Sequence, residues 1–196
     1  MTILIVLVII VLLLLFIGSL YNGLVRKRNA VDNGWSQIDV QLKRRLDLIP
    51  NLVETVRGYA EHEREALEAV IAARNGAVAA PDTPGAQAAA EGPIVGALRQ
   101  LFAVSEAYPE LKANTNFLAL QEELSSTEGR IAYARQFYND AVLRYHNAID
   151  QVPGVIVAKM FSFEHREYFD AGPEADQVHR SVFNSRCTNL FAQTSV

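Results

Sequence analysis

Charge is missing from the start of this chain. The first seventeen residues carry no ionisable side chain, and Ile3 to Phe16 is an unbroken run of isoleucine, leucine, valine and phenylalanine that ends at Ile17-Gly18-Ser19-Leu20-Tyr21. Cysteine is nearly missing as well. Cys187 stands alone, which excludes an intramolecular disulfide and fits a reducing compartment. An ordinary tail residue is expected there rather than a reactive thiol. An excess of basic charge is absent too: 18 Lys+Arg against 22 Asp+Glu leave a formal charge of −4. General attraction to nucleic acid is thereby excluded, although local basic patches can still meet anionic lipid.

The usual sequence marks of chemistry are lacking. None of His62, His146, His165 and His179 has a glutamate three residues before it, so the Glu-x-x-His pairs of a di-iron bundle are absent. Asp176-x-x-His179 comes nearest and is alone in a weakly patterned tail. His62-Glu63 has no second histidine four residues on, which excludes a zincin helix, and no glycine leads into the Lys-Ser/Thr of a phosphate-binding loop. Acid runs such as Glu61, Glu63, Glu65 and Glu122-Glu123 read as solvated helix faces rather than general acids. The sequence therefore predicts no enzyme, no cofactor and no metal site.

What is present begins with the apolar run itself. Read as a helix from Ile3 to Tyr21 it covers about 28 Å, close to the hydrocarbon thickness of a bilayer. A cleaved signal peptide is the minor reading, because nothing basic precedes Ile3. Arg26, Lys27 and Arg28 follow the run within a few residues. By the positive-inside tendency they place the body in the cytoplasm and the short N-terminus outside, and they are the candidate lipid-headgroup contacts.

The body reads as helix. Trp35, Ile38, Leu42, Ile49, Val53 and Val56 recur at steps of three and four, with Leu46 filling the gap and Leu24 and Val31 extending the stripe. One long helix is predicted over 22 to 76, with a kink or short break at Leu48-Ile49-Pro50. Ala77 to Pro93, rich in alanine, glycine and proline, reads as a surface connection. A second helix is predicted from about Ile94 to Ala107, ending before Pro109. Asn114-Thr115-Asn116 then offers caps for a third, in which Phe117, Leu124, Ile131, Tyr138 and Tyr145 recur every seven residues. The smaller Leu120, Thr127, Ala134, Ala141 and Ala148 stand three residues further on in each heptad, so a coiled-coil-like partner helix can approach closely. Glu128 and Arg135 border this seam as a solvated rim, or as an ion pair with each other or between Arg135 and the first helix.

Pro153-Gly154 ends the third helix, and Val155 to Phe163 reads as a short helix and an extended piece. Phe161, Phe163, Tyr168 and Phe169 either cover one end of the helices or form an interfacial or oligomer contact. Beyond Gly172, Val178, Val182, Phe183, Leu190 and Phe191 give only a weak helical pattern. The second basic cluster, Lys43-Arg44-Arg45, lies about 22 Å further along the helix than the first and is out of reach of a flat bilayer. Its expected neighbour is water, or the acidic face of another subunit carrying Glu61, Glu63 or Glu65.

Taken together, Tyr21-Asn22-Gly23-Leu24-Val25 after an apolar span, Trp35-Ser36-Gln37-Ile38-Asp39-Val40-Gln41-Leu42-Lys43-Arg44-Arg45, Asp47-Leu48-Ile49-Pro50-Asn51-Leu52-Val53 and His62-Glu63 resemble the LemA family. The resemblance continues through Ala73-Arg74, Glu106-Ala107-Tyr108-Pro109-Glu110-Leu111-Lys112-Ala113-Asn114, Phe117, Leu120-Gln121, Leu124, Glu128, Ile131-Ala132, Arg135, Tyr138-Asn139 and Tyr168-Phe169. It covers about residues 1 to 170. Gly34 departs from it, standing where the family usually has alanine and weakening the helix by roughly 1 kcal/mol.

The resemblance implies an all-α fold: a single-pass transmembrane helix over 1–21, a long-helix antiparallel bundle over 22–170, and a tail over 171–196. It implies no established catalytic activity or cofactor, and a link to bacterial membrane organisation that includes magnetosome membrane formation. The leading expectation is a self-associating scaffold in the bacterial inner membrane that organises or remodels it, with lipid and further copies of the chain as partners. The alternative is an adaptor that recruits a membrane protease or signalling protein through Phe161 to Phe169. In a further arrangement, the apolar segments of many copies pack inside a closed particle instead of in lipid.

Overall fold

The computed structural model describes residues 1–170, which form helices, turns and one extended terminal stretch. No strand occurs among them. Cys187, the Asp176/His179 pair and the tail pattern of Val178, Val182, Phe183, Leu190 and Phe191 lie outside the described residues.

The first helix, α1, runs unbroken from Thr2 to Arg57 with Pro50 inside it. The break expected at Pro50 falls later, after Arg57, where Gly58 lowers helix propensity and Tyr59 and Ala60 both donate to the Val56 carbonyl. The stretch predicted as one helix over 22 to 76 is therefore two, since α2 spans Arg64–Ala79. α2 stops because Ala80 precedes Pro81 and adopts an extended conformation.

Of the Ala/Gly/Pro-rich stretch Ala77 to Pro93, only residues 80–83 form the expected connection. Its part from Pro84 on forms the start of α3, Pro84–Ser105, capped by Thr83, whose hydroxyl accepts from the Ala86 amide, and opened by Pro84 in the first turn. A proline there removes only a donor that has no helical partner, and the alanines that follow are the strongest helix formers. A single turn, α4 (Pro109–Lys112), leads to Asn114, whose Oδ1 accepts the Phe117 amide at 3.0 Å and caps α5, Thr115–Asp150. α6 covers Gly154–Met160, and the chain then runs extended to Asp170.

Packing divides the described residues into two units: Met1–Gln37 with Ala134–Tyr168, and Ile38–Tyr133 with Phe169 and Asp170. In the first unit Leu24 and Val31 of α1, Tyr138, Val142, Tyr145 and Ile149 of α5, and Val157 of α6 are buried. The second unit has a continuous apolar core in which Ile49, Leu52 and Val56 of α1 join Leu67 and Val70 of α2, Ile94, Leu98 and Leu101 of α3, Leu111 of α4, and Phe117 and Leu124 of α5. Phe102 meets Phe117 edge-on at 6.1 Å within it.

Candidate functional site

In the first unit the apolar part of α1 is long and apolar enough to cross a membrane, and none of it is buried. Every side chain from Ile3 to Phe16 is exposed. Tyr21, at the end of this run, packs against Phe161 at 4.8 Å and Phe163 at 5.7 Å between ring centroids. Two turns later the Arg28 guanidinium lies 5.4 Å from the Phe163 ring centre, a cation–π contact, while Arg26 and Lys27 are exposed.

From Phe163 the extended residues form a strap over α5. The Tyr145 hydroxyl donates to the Glu164 carbonyl at 2.9 Å, the Arg166 amide donates to His146 Nε2 at 3.0 Å, and the Tyr138 hydroxyl donates to the Glu167 carbonyl at 2.7 Å. The spacing has a geometric cause. One heptad of helix rises about 10 Å, which is also what three extended residues span. Two seam tyrosines seven residues apart can therefore each reach a strap carbonyl, and the strap runs counter to α5. On α1, Asp32 pairs with Arg166 at 3.3 Å, and Trp35 packs against Tyr138 at 6.0 Å.

The electrostatics follow from this placement. Burial pushes the Tyr138 hydroxyl up to about 12 against the opposing pull of Arg166. Tyr145 is raised by burial in the same way. His146 is lowered, first by burial and then by repulsion from His165, whose ring centre is 4.6 Å away. A neutral His146 is what the strap requires, because its Nε2 accepts a hydrogen bond. Tyr168 packs on the same ring at 5.3 Å, and His165 Nε2 lies 3.2 Å from Asp150.

The second unit holds a buried ionic cluster. Arg45, 1% exposed, pairs through both terminal nitrogens with the carboxylate of Glu91 on α3, which is itself buried, and through Nη1 with Glu128 on α5 at 3.0 Å. Burial alone would lower the Arg45 pKa, but the Glu91 and Glu128 carboxylates more than offset it, so the guanidinium stays charged. The Nε–H of Arg45 and the Oε1 of Gln41, one turn earlier, are buried without partners. A buried ion pair with an unsatisfied donor adds little net stability, whereas removing one member is costly. Its neighbours in sequence also find acids within the chain: Lys43 pairs with Asp39 at 2.6 Å and Arg44 with Glu123 at 2.7 Å.

Against this geometry, the family model described as LemA family matches residues 34–183. The chain belongs to the LemA family. It is 27% identical over 181 residues to magnetosome proteins MamQ 1 and MamQ 2 of Paramagnetospirillum magneticum, and 26% identical to magnetosome protein MamQ of Magnetospirillum gryphiswaldense. Each match covers 80% of this chain and 66% of the relative, so the chain spans just under two thirds of the length of these curated proteins. The LemA match takes in the ionic cluster and the strap and begins after the apolar run. It also continues to residue 183, past the last motif that the sequence reading tied to the family.

As a LemA-family chain this is a membrane-associated protein whose regular elements, among the described residues, are all helices, and its sequence-predicted residues fall into clear places. Ile38, Leu42, Ile49, Phe117, Leu124 and Ile131 are buried within the second unit, Tyr138 and Tyr145 within the first, and Trp35 is half-buried. The four terminal aromatics separate: Phe169 is buried, Phe163 half-buried, Phe161 and Tyr168 exposed. Of the Lys43-Arg44-Arg45 cluster, Lys43 and Arg44 stay exposed while pairing with Asp39 and Glu123, in keeping with the expected solvated face, and Arg45 alone is buried, against Glu91 of the same chain. Glu128 stays partly exposed and meets Arg45 rather than Arg135 in the ion pair described above. Sequence reasoning missed Arg45 and Glu91 as buried partners, though a signal was present. Arg45 follows Ile38 and Leu42 and precedes Ile49 at the same steps of three and four that mark the buried stripe. Among the described residues no group of three or more His, Cys, Asp or Glu side chains is placed to hold a metal.

Proposed function

We propose that the chain is a single-pass, membrane-anchored scaffold whose helices pack as an antiparallel bundle and whose copies associate to organise or remodel the bacterial membrane. The observation that carries this reading is the exposure of the whole apolar run of α1, while the same helix continues without interruption into buried contacts with the body. Such a helix transmits the position of a lipid-embedded segment directly to the packed part. The relatives named as magnetosome proteins support a role tied to a membrane compartment. Arg26 and Lys27, exposed after the run, serve as headgroup contacts and favour a cytoplasmic body in the inner membrane.

We assign the chain no catalytic step, cofactor or nucleic-acid partner. The displaced titratable groups have structural employment: Arg45 in its ion cluster, Tyr138, Tyr145 and His146 in holding the strap. Since the seam residues are buried within the chain, association of copies falls to exposed surfaces such as Tyr133, Phe137 and Leu143 on α5. Many weak contacts suffice when anchors confine the copies to one surface.

Electron microscopy of the full-length protein with and without lipid, together with crosslinking in cells, tests the reading. Self-contacts and deformed vesicles are expected. A monomer that leaves vesicle shape unchanged overturns it, and a single dominant foreign partner supports the adaptor instead. Ordered particles holding the apolar segments together without lipid overturn the single span.

A further inference from the structure

The apolar surface of the first unit does not end with α1. α6 buries Gly154, Val157 and Ala158 on one side and turns Ile156 (63% exposed) and Met160 (58%) outward on the other. Val152 before the helix and Phe161 after it are exposed as well, at 80% and 49%. A helix with one face packed ordinarily presents polar residues on the opposite face. Here the outward positions, one turn apart, are isoleucine and methionine, with Lys159 beside them.

Position decides what covers this edge. Phe161 is held against Tyr21, which closes the apolar run, and Phe163 lies between Tyr21 and Arg28, which belongs to the first basic cluster. The edge therefore starts at the level where apolar α1 gives way to charge. It is also continuous with the exposed apolar surface of α1 through the Tyr21–Phe161 contact.

We propose that α6 and Phe161 form a second membrane contact, an interfacial edge that lies in the headgroup layer beside the spanning helix. Ile156, Met160 and Phe161 enter the acyl boundary, and Lys159 meets the headgroups. The chain then grips the bilayer at two points fixed by Tyr21, which limits rotation of the body about the anchor. The inference rests on the reading of α1 as a span.

The test uses the full chain in vesicles of phosphatidylcholine with a minority of phosphatidylglycerol. Cys187→Ser removes the native thiol, and a nitroxide is attached to Met160→Cys, to Ile156→Cys, to Val11→Cys in the apolar run, or to the exposed Glu68→Cys as an aqueous reference. Accessibility to oxygen against a nickel chelate reports depth. Labels at 156 and 160 are expected to show an oxygen-to-nickel ratio several-fold above that at 68 and below that at 11. If 11 is deep while 156 and 160 match 68, the interfacial edge is wrong and the span stands. If 11 also matches 68, both fail. Labels at 156 and 160 that are shielded from both reagents and couple to one another between copies mark a protein interface and overturn the lipid assignment.

Discussion

The Nε–H of Arg74 on α2 donates to the Leu46 carbonyl of α1 at 2.9 Å. Leu46 is the residue whose carbonyl would accept from position 50 in a helix, and Pro50 has no amide hydrogen to give. Arg74 supplies the missing donor, which explains how α1 carries a proline in a half-buried region without ending there.

Arg74→Met is therefore expected to lower stability by about 1–2 kcal/mol, the range for a hydrogen bond from a charged donor. The same substitution in a Pro50→Ala background is expected to cost less than half as much, because an alanine at this position restores the helical donor. Thermal unfolding followed by circular dichroism in detergent gives both values as a double-mutant cycle. Equal losses in the two backgrounds would show that Arg74 acts elsewhere.

The Arg45–Glu91 pair makes an opposite kind of prediction. Glu91→Leu leaves a guanidinium that is 1% exposed with only the partly exposed Glu128 as partner, and a loss of about 3 kcal/mol is expected. Adding Arg45→Met removes the stranded charge, and the double variant is expected to recover most of that loss. Unfolding midpoints of the two single variants and the double variant decide the matter. A double variant worse than Glu91→Leu alone would mean that the ions contribute net stability.

These two relationships mark where sequence legibility stops. The helical class and the buried identity of Ile38, Leu42, Ile49, Phe117 and Tyr138 are readable because an apolar face repeats with the helix period. Arg45 and Glu91 are not, because a charge on the apolar stripe is allowed only when a partner arrives from a distant helix, and single-chain periodicity does not reveal which one. The position of the first break misleads for a related reason. Pro50 signals a break locally, but Arg74, 28 residues on from Leu46, cancels the signal, while Gly58 carries a weaker one that nothing cancels. Pro84 has the look of a loop mark, yet Thr83 before it and the alanines after it make it a helix start. The strap is invisible in the sequence because its hydrogen bonds use the backbone of residues 164, 166 and 167, whose side chains say nothing about it.

Gly34 is legible only in part. Its propensity penalty, about 1 kcal/mol relative to alanine, predicts that Gly34→Ala should stabilise. A Cβ there would lie 3.2 Å from the Tyr138 Cα and 3.4 Å from the Tyr138 ring, closer than ordinary contact. The two effects are expected to cancel, leaving Gly34→Ala within about 0.5 kcal/mol of the parent, while Gly34→Leu overpacks and costs roughly 1–3 kcal/mol. Melting temperatures of the two variants separate the contributions. A clear gain for Gly34→Ala would show that α5 yields at Tyr138.

The seam tyrosines offer a further check on the strap. Tyr138→Phe and Tyr145→Phe keep the rings in place and delete one hydrogen bond each, for an expected loss of about 1 kcal/mol apiece. Hydrogen exchange of the amides from 164 to 168 should quicken in both variants, while the core amides around Leu101 stay unchanged. Uniform quickening across the chain would point to global rather than local loosening.

The strap should also loosen in acid. His146 accepts the Arg166 amide only when neutral, and burial together with the neighbouring His165 lowers its pKa in the folded chain. The unfolded chain then binds more protons at this site, so the contribution to stability is complete above the unfolded value near 6.5 and declines as the pH falls through the lowered folded value. Asp150, which pairs with His165, and Arg166, which pairs with Asp32, surround the histidine without supplying another acceptor for the Arg166 amide. Amide exchange over residues 164 to 168, corrected for its intrinsic pH dependence, is expected to accelerate as the pH falls below about 6.5, where a histidine of lowered pKa gains its proton. His146→Gln places an amide oxygen near the position of Nε2 and should hold the strap at both pH values, removing the acid response without weakening it at neutral pH. Persistence of the acid response in His146→Gln would show that His146 does not cause it.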